Sequence, residues 1–308
     1  MIIDAHAHIF TNIAGQRGAN KTSPGTFGKV NVGNDEVQML PPTFVDSSFN
    51  VDMLIHMMDC NGVDKAVLLQ NPVFGSINED VAEAIRAFPE RFVGTIQVDP
   101  LSDHALETVK KIATPKQSTL KFELSRGWGW SGIHPGLQID SPEFMDIWDL
   151  ASELELSVIV DPGRIDNPGY QVAQIDAISQ KYPQIKFLLE HLGYFTGDLT
   201  GDETAKKRWL NLIELAQKEN VFLGFSAAGI LLDEDYPCPG ALRLLEEAVS
   251  IVGANKILWG SDLPTTLNKY TYQQMIDVVL KHAQFLTGNE KKQIMGINAL
   301  DFFTGFDS

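Results

Sequence analysis

The chain has 308 residues, with 24 Lys and Arg against 40 Asp and Glu, a formal charge of −16 at pH 7. That balance, with no dense basic run, excludes a face built to track a nucleic-acid backbone or an anionic membrane and points to a small-molecule substrate as the partner. A composition 44% hydrophobic and 21% charged excludes a disordered or fibrous chain and is enough to build a sizeable core.

The first predicted element is a strand at residues 2–5 that runs into Asp4-Ala5-His6-Ala7-His8. Strict alternation puts Asp4, His6 and His8 on one face and Ile3, Ala5 and Ala7 on the other. Two imidazoles then converge at a strand end as ready metal ligands, while the small alanines leave room for outer helices. Residues 11–48 follow, rich in Gly, Asn, Pro and Thr and without periodicity. They are far longer than the roughly 2–6 residues of an ordinary strand-to-helix connection and read either as a lid over the strand ends or as a decorative insertion.

Further strands are predicted at 65–69, 92–98, 119–123, 158–161, 185–190, 221–225 and 257–260. Helical stretches lie at 51–60, 78–88, 102–112, 141–154, 170–182, 204–219, 240–252 and 272–286. Ser141-Pro142 marks one helix start, and Asn78, followed by Glu79 and Asp80, reads as the N-cap of another. About eight apolar strands, each followed by a helix, is the number at which a parallel sheet closes into a (β/α)8 TIM barrel. No low-complexity linker, repeat or charge block divides the chain, so it reads as a single domain with a long insertion after the first strand.

Polar residues at the strand ends carry the chemistry. On the fourth strand Lys121 and Glu123 share a parity opposite to Leu120, Phe122 and Leu124. Either they form a buried ion pair, or Glu123 reaches a metal and Lys121 the substrate. On the fifth, Asp161 has the inward parity of Ser157 and Ile159 and offers an oxygen to a coordination sphere. On the sixth, Leu188-Leu189-Glu190-His191 brings His191 as the first group able to transfer a proton. On the eighth, alternation sends Leu258, Gly260 and Asp262 inward, where a carboxylate is costly unless it binds metal or is paired. Arg126, Trp128, Trp130, Arg164, Tyr194, Phe195 and Ser226 follow these strands near the expected mouth. The arginines would orient a carboxylate and the aromatics wall an organic substrate.

Two cysteines, Cys60 and Cys238, make no CxxC pair, which fits a reducing cytosol and leaves a metal to nitrogen and oxygen ligands. Met1-Ile2-Ile3-Asp4 has no basic segment ahead of an apolar one, and no apolar run approaches the ~18 residues of a membrane span, so a cytoplasmic protein is expected.

The chain resembles the amidohydrolase superfamily, more narrowly the amidohydrolase-related group of aminocarboxymuconate-semialdehyde decarboxylase, resorcylate decarboxylases and lactonases. The likeness spans nearly the whole chain. It is carried by Ile3-Asp4-Ala5-His6-Ala7-His8, Gly62-Val63-Asp64-Lys65-Ala66-Val67, Phe88-Pro89-Glu90-Arg91-Phe92-Val93-Gly94, Glu190-His191-Leu192-Gly193, Gly260-Ser261-Asp262-Leu263-Pro264 and Ile294-Met295-Gly296-Ile297-Asn298-Ala299. It implies a distorted barrel, a homodimer, and one divalent ion, usually zinc, held by His6, His8 and Asp262, with His191 activating water or transferring a proton. One departure is Asp161, where many relatives have a metal-binding histidine; a carboxylate there favours Mn²⁺ or Mg²⁺.

The leading expectation is a metal-dependent hydrolase of a small carboxylated lactone or amide. In it Asp262 takes the proton of an activated water, His191 stabilises the oxyanion, and Arg126 or Arg164 holds a distal carboxylate. A non-oxidative decarboxylase of a small unsaturated or aromatic acid is the second expectation. A barrel that binds a metabolite without catalysis is the third.

Overall fold

The computed structural model describes residues 1–193 and 202–307. Strand β1 (Ile3–His8) is followed by a small antiparallel sheet, β2 (Gln16–Arg17), β3 (Asn20–Pro24), β4 (Lys29–Val32) and β5 (Asp35–Gln38). Then come β6 (Lys65–Leu69), β7 (Phe92–Ile96), β8 (Thr119–Glu123), β9 (Ser157–Asp161), β10 (Phe187–Leu189), β11 (Val221–Phe225) and β12 (Ile257–Trp259). Strand β1 and strands β6–β12 pair in chain order as one eight-stranded sheet, parallel throughout. The sheet closes on itself just past β12, where Asp262 N–H donates to His6 O at 2.7 Å and His8 N–H to Leu263 O at 2.8 Å. The architecture is a single-domain (β/α)8 barrel.

Burial on both faces explains why these strands are apolar runs. On the outside, Leu120, Phe122 and Leu124 of the β8 segment are fully buried, and the Phe122 ring meets Phe144 and Trp148 of helix Pro142–Glu153 with centroids 5.2 and 5.5 Å away. On the inside, Ile3, Ala5, Val67, Leu69, Val93, Ile159, Leu188 and Leu258 form a second cluster, completed by Phe302, Phe303 and Phe306. Those phenylalanines sit at the N-terminal ends of the strands, where Lys116 ahead of β8 donates to Gly305 O and Lys65 opening β6 lies over the Phe306 ring. That end of the barrel is closed by apolar side chains, with the Thr119 and Ser157 hydroxyls paired to each other at 2.7 Å, and the charged side chains gather at the other end.

Several local expectations change. Asn78 is not a cap: Ile77 holds that position, and the buried Asn78 amide instead accepts from Gln70 Nε2 at 2.8 Å and donates to Gln97 O at 2.8 Å, tying the ends of β6 and β7 together. The last long helix is α-helical only over Tyr272–Asp277 and passes into a π-turn, Val278–His282. Residues 11–48 are not an irregular loop, since β2–β5 occupy them. Their strands are two to five residues long, and only β4, Lys29-Val30-Asn31-Val32, alternates, too briefly to mark a sheet. This sheet is anchored beside the strand ends: Gln16 N–H donates to Pro72 O at 3.0 Å, Ala14 N–H to Phe74 O at 3.1 Å, and Asn268 Nδ2 to Met39 O at 2.7 Å.

The main correction concerns β1. Its pairing with β6 slips between Asp4 and Ala7: Asp4 lies opposite Ala66, yet Ala7 lies opposite Leu68, so three steps on one strand match two on the other. An extra residue inverts the facing of everything beyond it. Ile3 and Ala5 therefore point into the barrel, and Asp4 does not share the face of His6 and His8. Its buried carboxylate accepts from Ser261 N–H at 2.8 Å and from the Tyr272 hydroxyl at 2.7 Å. Burial, only partly offset by these donors, pushes the Asp4 pKa up to about 6.

The seam beside this bulge leaves no space for a side chain on Gly260, where a Cβ would stand 2.5 Å from His6 Cβ and 2.9 Å from His6 N. Gly260→Ala is therefore expected to destabilise the protein by about 1–3 kcal/mol, read as a lower urea midpoint at unchanged slope. An unchanged midpoint would show that the seam yields freely.

Candidate functional site

The C-terminal mouth of the barrel holds a cavity of about 310 Å³ into which His6, His8, Lys121, Glu123, Asp161, His191 and Asp262 all look. Two of these residues stand in strained backbone. Asp262 has φ +58° and His191 φ +58°, the left-handed region that non-glycine residues avoid and that recurs where a side chain must be aimed. In both cases a strand has just ended, and the turn swings the next side chain over the mouth.

The partners of the two β1 histidines define which nitrogen carries the proton. His8 Nδ1 lies 2.9 Å from Leu69 O, which only accepts, so Nδ1 donates there and Nε2 is the nitrogen turned to the cavity. His6 Nδ1 likewise donates to Glu190 Oε2 at 2.9 Å, which leaves its Nε2 unprotonated. Burial also holds the His6 imidazole below its usual pKa, in the neutral form. The two Nε2 atoms face each other at 3.2 Å, and Asp262 Oδ1 stands 3.2 Å from His8 Nε2 and 3.5 Å from His6 Nε2. Burial alone would raise the Asp262 pKa, but the surrounding histidines outweigh it and bring it to about 2. Two imidazole nitrogens and a carboxylate oxygen thus converge on one point, an arrangement suited to a cation. The donor set of two imidazole nitrogens and one carboxylate oxygen fits a divalent metal.

His191 is held the opposite way. Nε2 faces Asp161 Oδ2 at 3.1 Å, and Nδ1 faces both Ser226 O at 3.2 Å and Ser226 Oγ at 2.9 Å. The Ser226 hydroxyl gives its own proton to Glu190 Oε2 at 2.9 Å, so it can only accept from His191. Acceptors on both sides make His191 an imidazolium. Its burial opposes that charge, yet Asp161 overrides it and lifts the pKa to about 10. Asp161 in turn is held well below the carboxylate range by His191 despite its burial, while burial and the neighbouring Asp161 push Glu123 well above it. Glu123 is therefore the protonated partner and donates to Asp161. Lys121 Nζ lies 3.9 Å from Glu123 Oε2 at the floor of the cavity.

Not every predicted residue arrives. Asp161 and Glu123 face the cavity but stand outside that trio: Asp161 is committed to His191 and to Gly163 N–H at 2.8 Å, and Glu123 to Ser125 N–H at 2.9 Å. Arg126 and Arg164 are exposed and line a neighbouring surface groove rather than the cavity, and Arg164 Nε donates to Asp166 Oδ1 at 3.2 Å. Side-chain parity stops at the strand end, and the turns after β8 and β9 carry both arginines outward. Trp128 does wall the cavity, with the Arg17 guanidinium from β2 stacked 4.0 Å above its ring. Trp130 faces a different pocket, and Tyr194 and Phe195 lie outside the described residues. Sequence reasoning missed Glu190, although it shares the parity of the inward Leu188. It also missed Phe74 and Met39, apolar walls in loops where no periodicity applies.

Fold and cluster define a class, the (β/α)8 barrels with a metal-ligand set at the C-terminal mouth. The chain belongs to the amidohydrolase family, whose model matches residues 3–304. No curated protein matches it in sequence. Among solved structures, a probable 2-pyrone-4,6-dicarboxylic acid hydrolase from Acinetobacter baumannii with citric acid bound is similar with a TM-score of 0.71 at 17% identity, over 98% of this chain and 99% of that one. An amidohydrolase from Burkholderia multivorans with bound zinc is similar with a TM-score of 0.68 at 17% identity, over 99% of each chain. 5-Carboxyvanillate decarboxylase from Sphingomonas paucimobilis follows with a TM-score of 0.57 at 17% identity, over 81% of this chain and 82% of that one. At these identities the likeness establishes the fold. Among the described residues no helix is long and apolar enough to cross a membrane.

With Zn²⁺ present during purification, elemental analysis should find about one metal ion per chain, lost in His6→Ala and His8→Ala but kept in Glu123→Gln. Metal retained by both histidine variants would mean that the ion sits elsewhere.

Proposed function

We propose that the protein is a metal-dependent hydrolase of a small carboxylated lactone or amide. One observation carries this reading: His6 Nε2, His8 Nε2 and Asp262 Oδ1 converge within 3.5 Å of one another at the wall of a cavity. Two imidazoles with one carboxylate suit zinc, the ion bound by the Burkholderia multivorans amidohydrolase, while Mn²⁺ and Mg²⁺ remain the alternatives to compare in metal analysis. A divalent ion there would polarise a carbonyl and lower the pKa of bound water toward ~7.

The chain's own residues supply the rest. Asp262 is ionised, and its side chain is 18% exposed to the cavity, so it can accept the proton of the attacking water. The His191 imidazolium, its ring centroid 5.0 Å from that of His6, places positive charge beside the point where the oxyanion develops. Lys121, not an arginine, is the cation on the cavity floor and would meet a substrate carboxylate. Phe74, Trp128 and Met39 supply apolar walls. Met39 and the neighbouring Gln38 come from the insertion, which we read as a lid over the site.

A non-oxidative decarboxylase would use the same cluster, a reading supported by the decarboxylase among the similar structures. The product separates the two, since hydrolysis yields a ring-opened or deamidated acid and decarboxylation yields CO₂. On a substrate found by screening lactones, amides and carboxylated aromatics, Asp262→Asn should lower turnover by about 10²–10⁴-fold. Unchanged turnover in that variant would remove Asp262 from the mechanism, and no turnover of any such substrate by metal-loaded protein would favour a binding role.

A further inference from the structure

Glu190 has no part in the steps above, yet it is the residue on which both halves of the site converge. Its carboxylate lies at the end of β10, 1% exposed, and a single oxygen, Oε2, accepts from His6 Nδ1 at 2.9 Å and from Ser226 Oγ at 2.9 Å. Ser226, on the turn after β11, in turn accepts from His191 Nδ1 at 2.9 Å. One unbroken run of hydrogen bonds thus passes from β1 through β10 and β11 to the histidine that meets Asp161 of β9. The barrel makes room for it: a Cβ on Gly224 of β11 would stand 2.3 Å from Glu190 Oε2, so only glycine admits the carboxylate at this level.

We infer that Glu190 is a positioning residue, which keeps the proton of His6 on Nδ1 and thereby presents Nε2 to the cation, while through Ser226 it fixes the ring of His191. The argument is one of exclusion. His6 Nε2 faces His8 Nε2 and Asp262, and Nδ1 faces Glu190, so the neutral ring must put its proton on one side or the other. A buried carboxylate whose oxygen lies within hydrogen-bond distance of Nδ1 draws the proton there. It also leaves the lone pair more basic, as a carboxylate behind a metal-bound imidazole does. Without Glu190 the competing tautomer, with the proton on Nε2 donating to Asp262, becomes available and blocks the point where the ligands converge.

This inference rests on the metal reading for its consequence but not for its first readout. In metal-free protein labelled with ¹⁵N, correlation spectra of the histidine rings should show His6 protonated at Nδ1. In Glu190→Leu, close in volume but without an acceptor, the Nε2-protonated form should appear. Competition with a chelator should then show Zn²⁺ binding weakened about 10–100-fold in Glu190→Leu, with Glu190→Gln, which keeps one acceptor oxygen, in between. A space-filling role predicts instead that the leucine variant binds Zn²⁺ like the parent. That result, or an unchanged His6 tautomer, overturns the inference. If Glu190→Leu does not fold, Gly224→Ala, which displaces the carboxylate without removing it, must show the same two changes, and parental behaviour there overturns the proposal equally. Failure of the parent protein to bind Zn²⁺, with the His6 tautomer still dependent on Glu190, would count against the metal reading alone.

Discussion

Two imidazole nitrogens and a carboxylate oxygen are held at one buried point, and much of the structure at the barrel mouth can be understood as what holds them there. His6 and His8 cannot turn away, because each is tethered through Nδ1, one to Glu190 and one to Leu69 O. Asp262 cannot swing out, because its backbone N–H is committed to His6 O and its φ lies in the left-handed region. The ligand atoms are therefore fixed by the barrel's own backbone and by groups behind them. A cluster of this kind binds a cation strongly because the arrangement already exists before the cation arrives.

The remaining charges at the mouth are ordered around that point. Counting Glu123 as protonated, Lys121 and His191 carry two positive charges against the negative charges of Asp161, Glu190 and Asp262. The positive groups are not interchangeable. His191 is enclosed by acceptors and cannot move without breaking contacts with two strand ends, whereas Lys121 approaches its nearest carboxyl, Glu123 Oε2, only to 3.9 Å. The first is suited to a fixed field and the second to meeting a ligand that comes and goes.

Much of this was legible before any coordinates, for a specific reason. Strands buried on both faces must be apolar, so β6, β8 and β11 have the boundaries their runs predict, and polar residues directly after such runs can only lie at the mouth. His6, His8, His191 and Asp262 were found this way. What stayed hidden left no mark on hydrophobic period. The bulge in β1 inverts Asp4 and Ala5 relative to His6 and His8, but an extra residue in a run that is buried throughout looks like any other residue. Arg126 and Arg164 lie one turn too far, where loop geometry and not alternation decides direction. The sheet within residues 11–48 is built from strands of two to five residues, too short for even the alternation of β4 to stand out. Glu190 was legible by its parity with Leu188 and was overlooked because His191 beside it offered the more obvious chemistry.

The phenylalanine plug carries a consequence for how such a chain comes to be folded. Ile3 of the first strand shares its inner cluster with Phe302, Phe303 and Phe306, contacts spanning nearly the full sequence. The first strand can pair with β6 early, but its inner cluster is complete only when Phe302, Phe303 and Phe306 join it. Until then the unpaired flank of β1, where β12 will dock, is an open sheet edge. That edge is closed by the backbone contacts of Asp262 and Leu263 with His6 and His8, so the residues that complete the barrel also complete the ligand cluster.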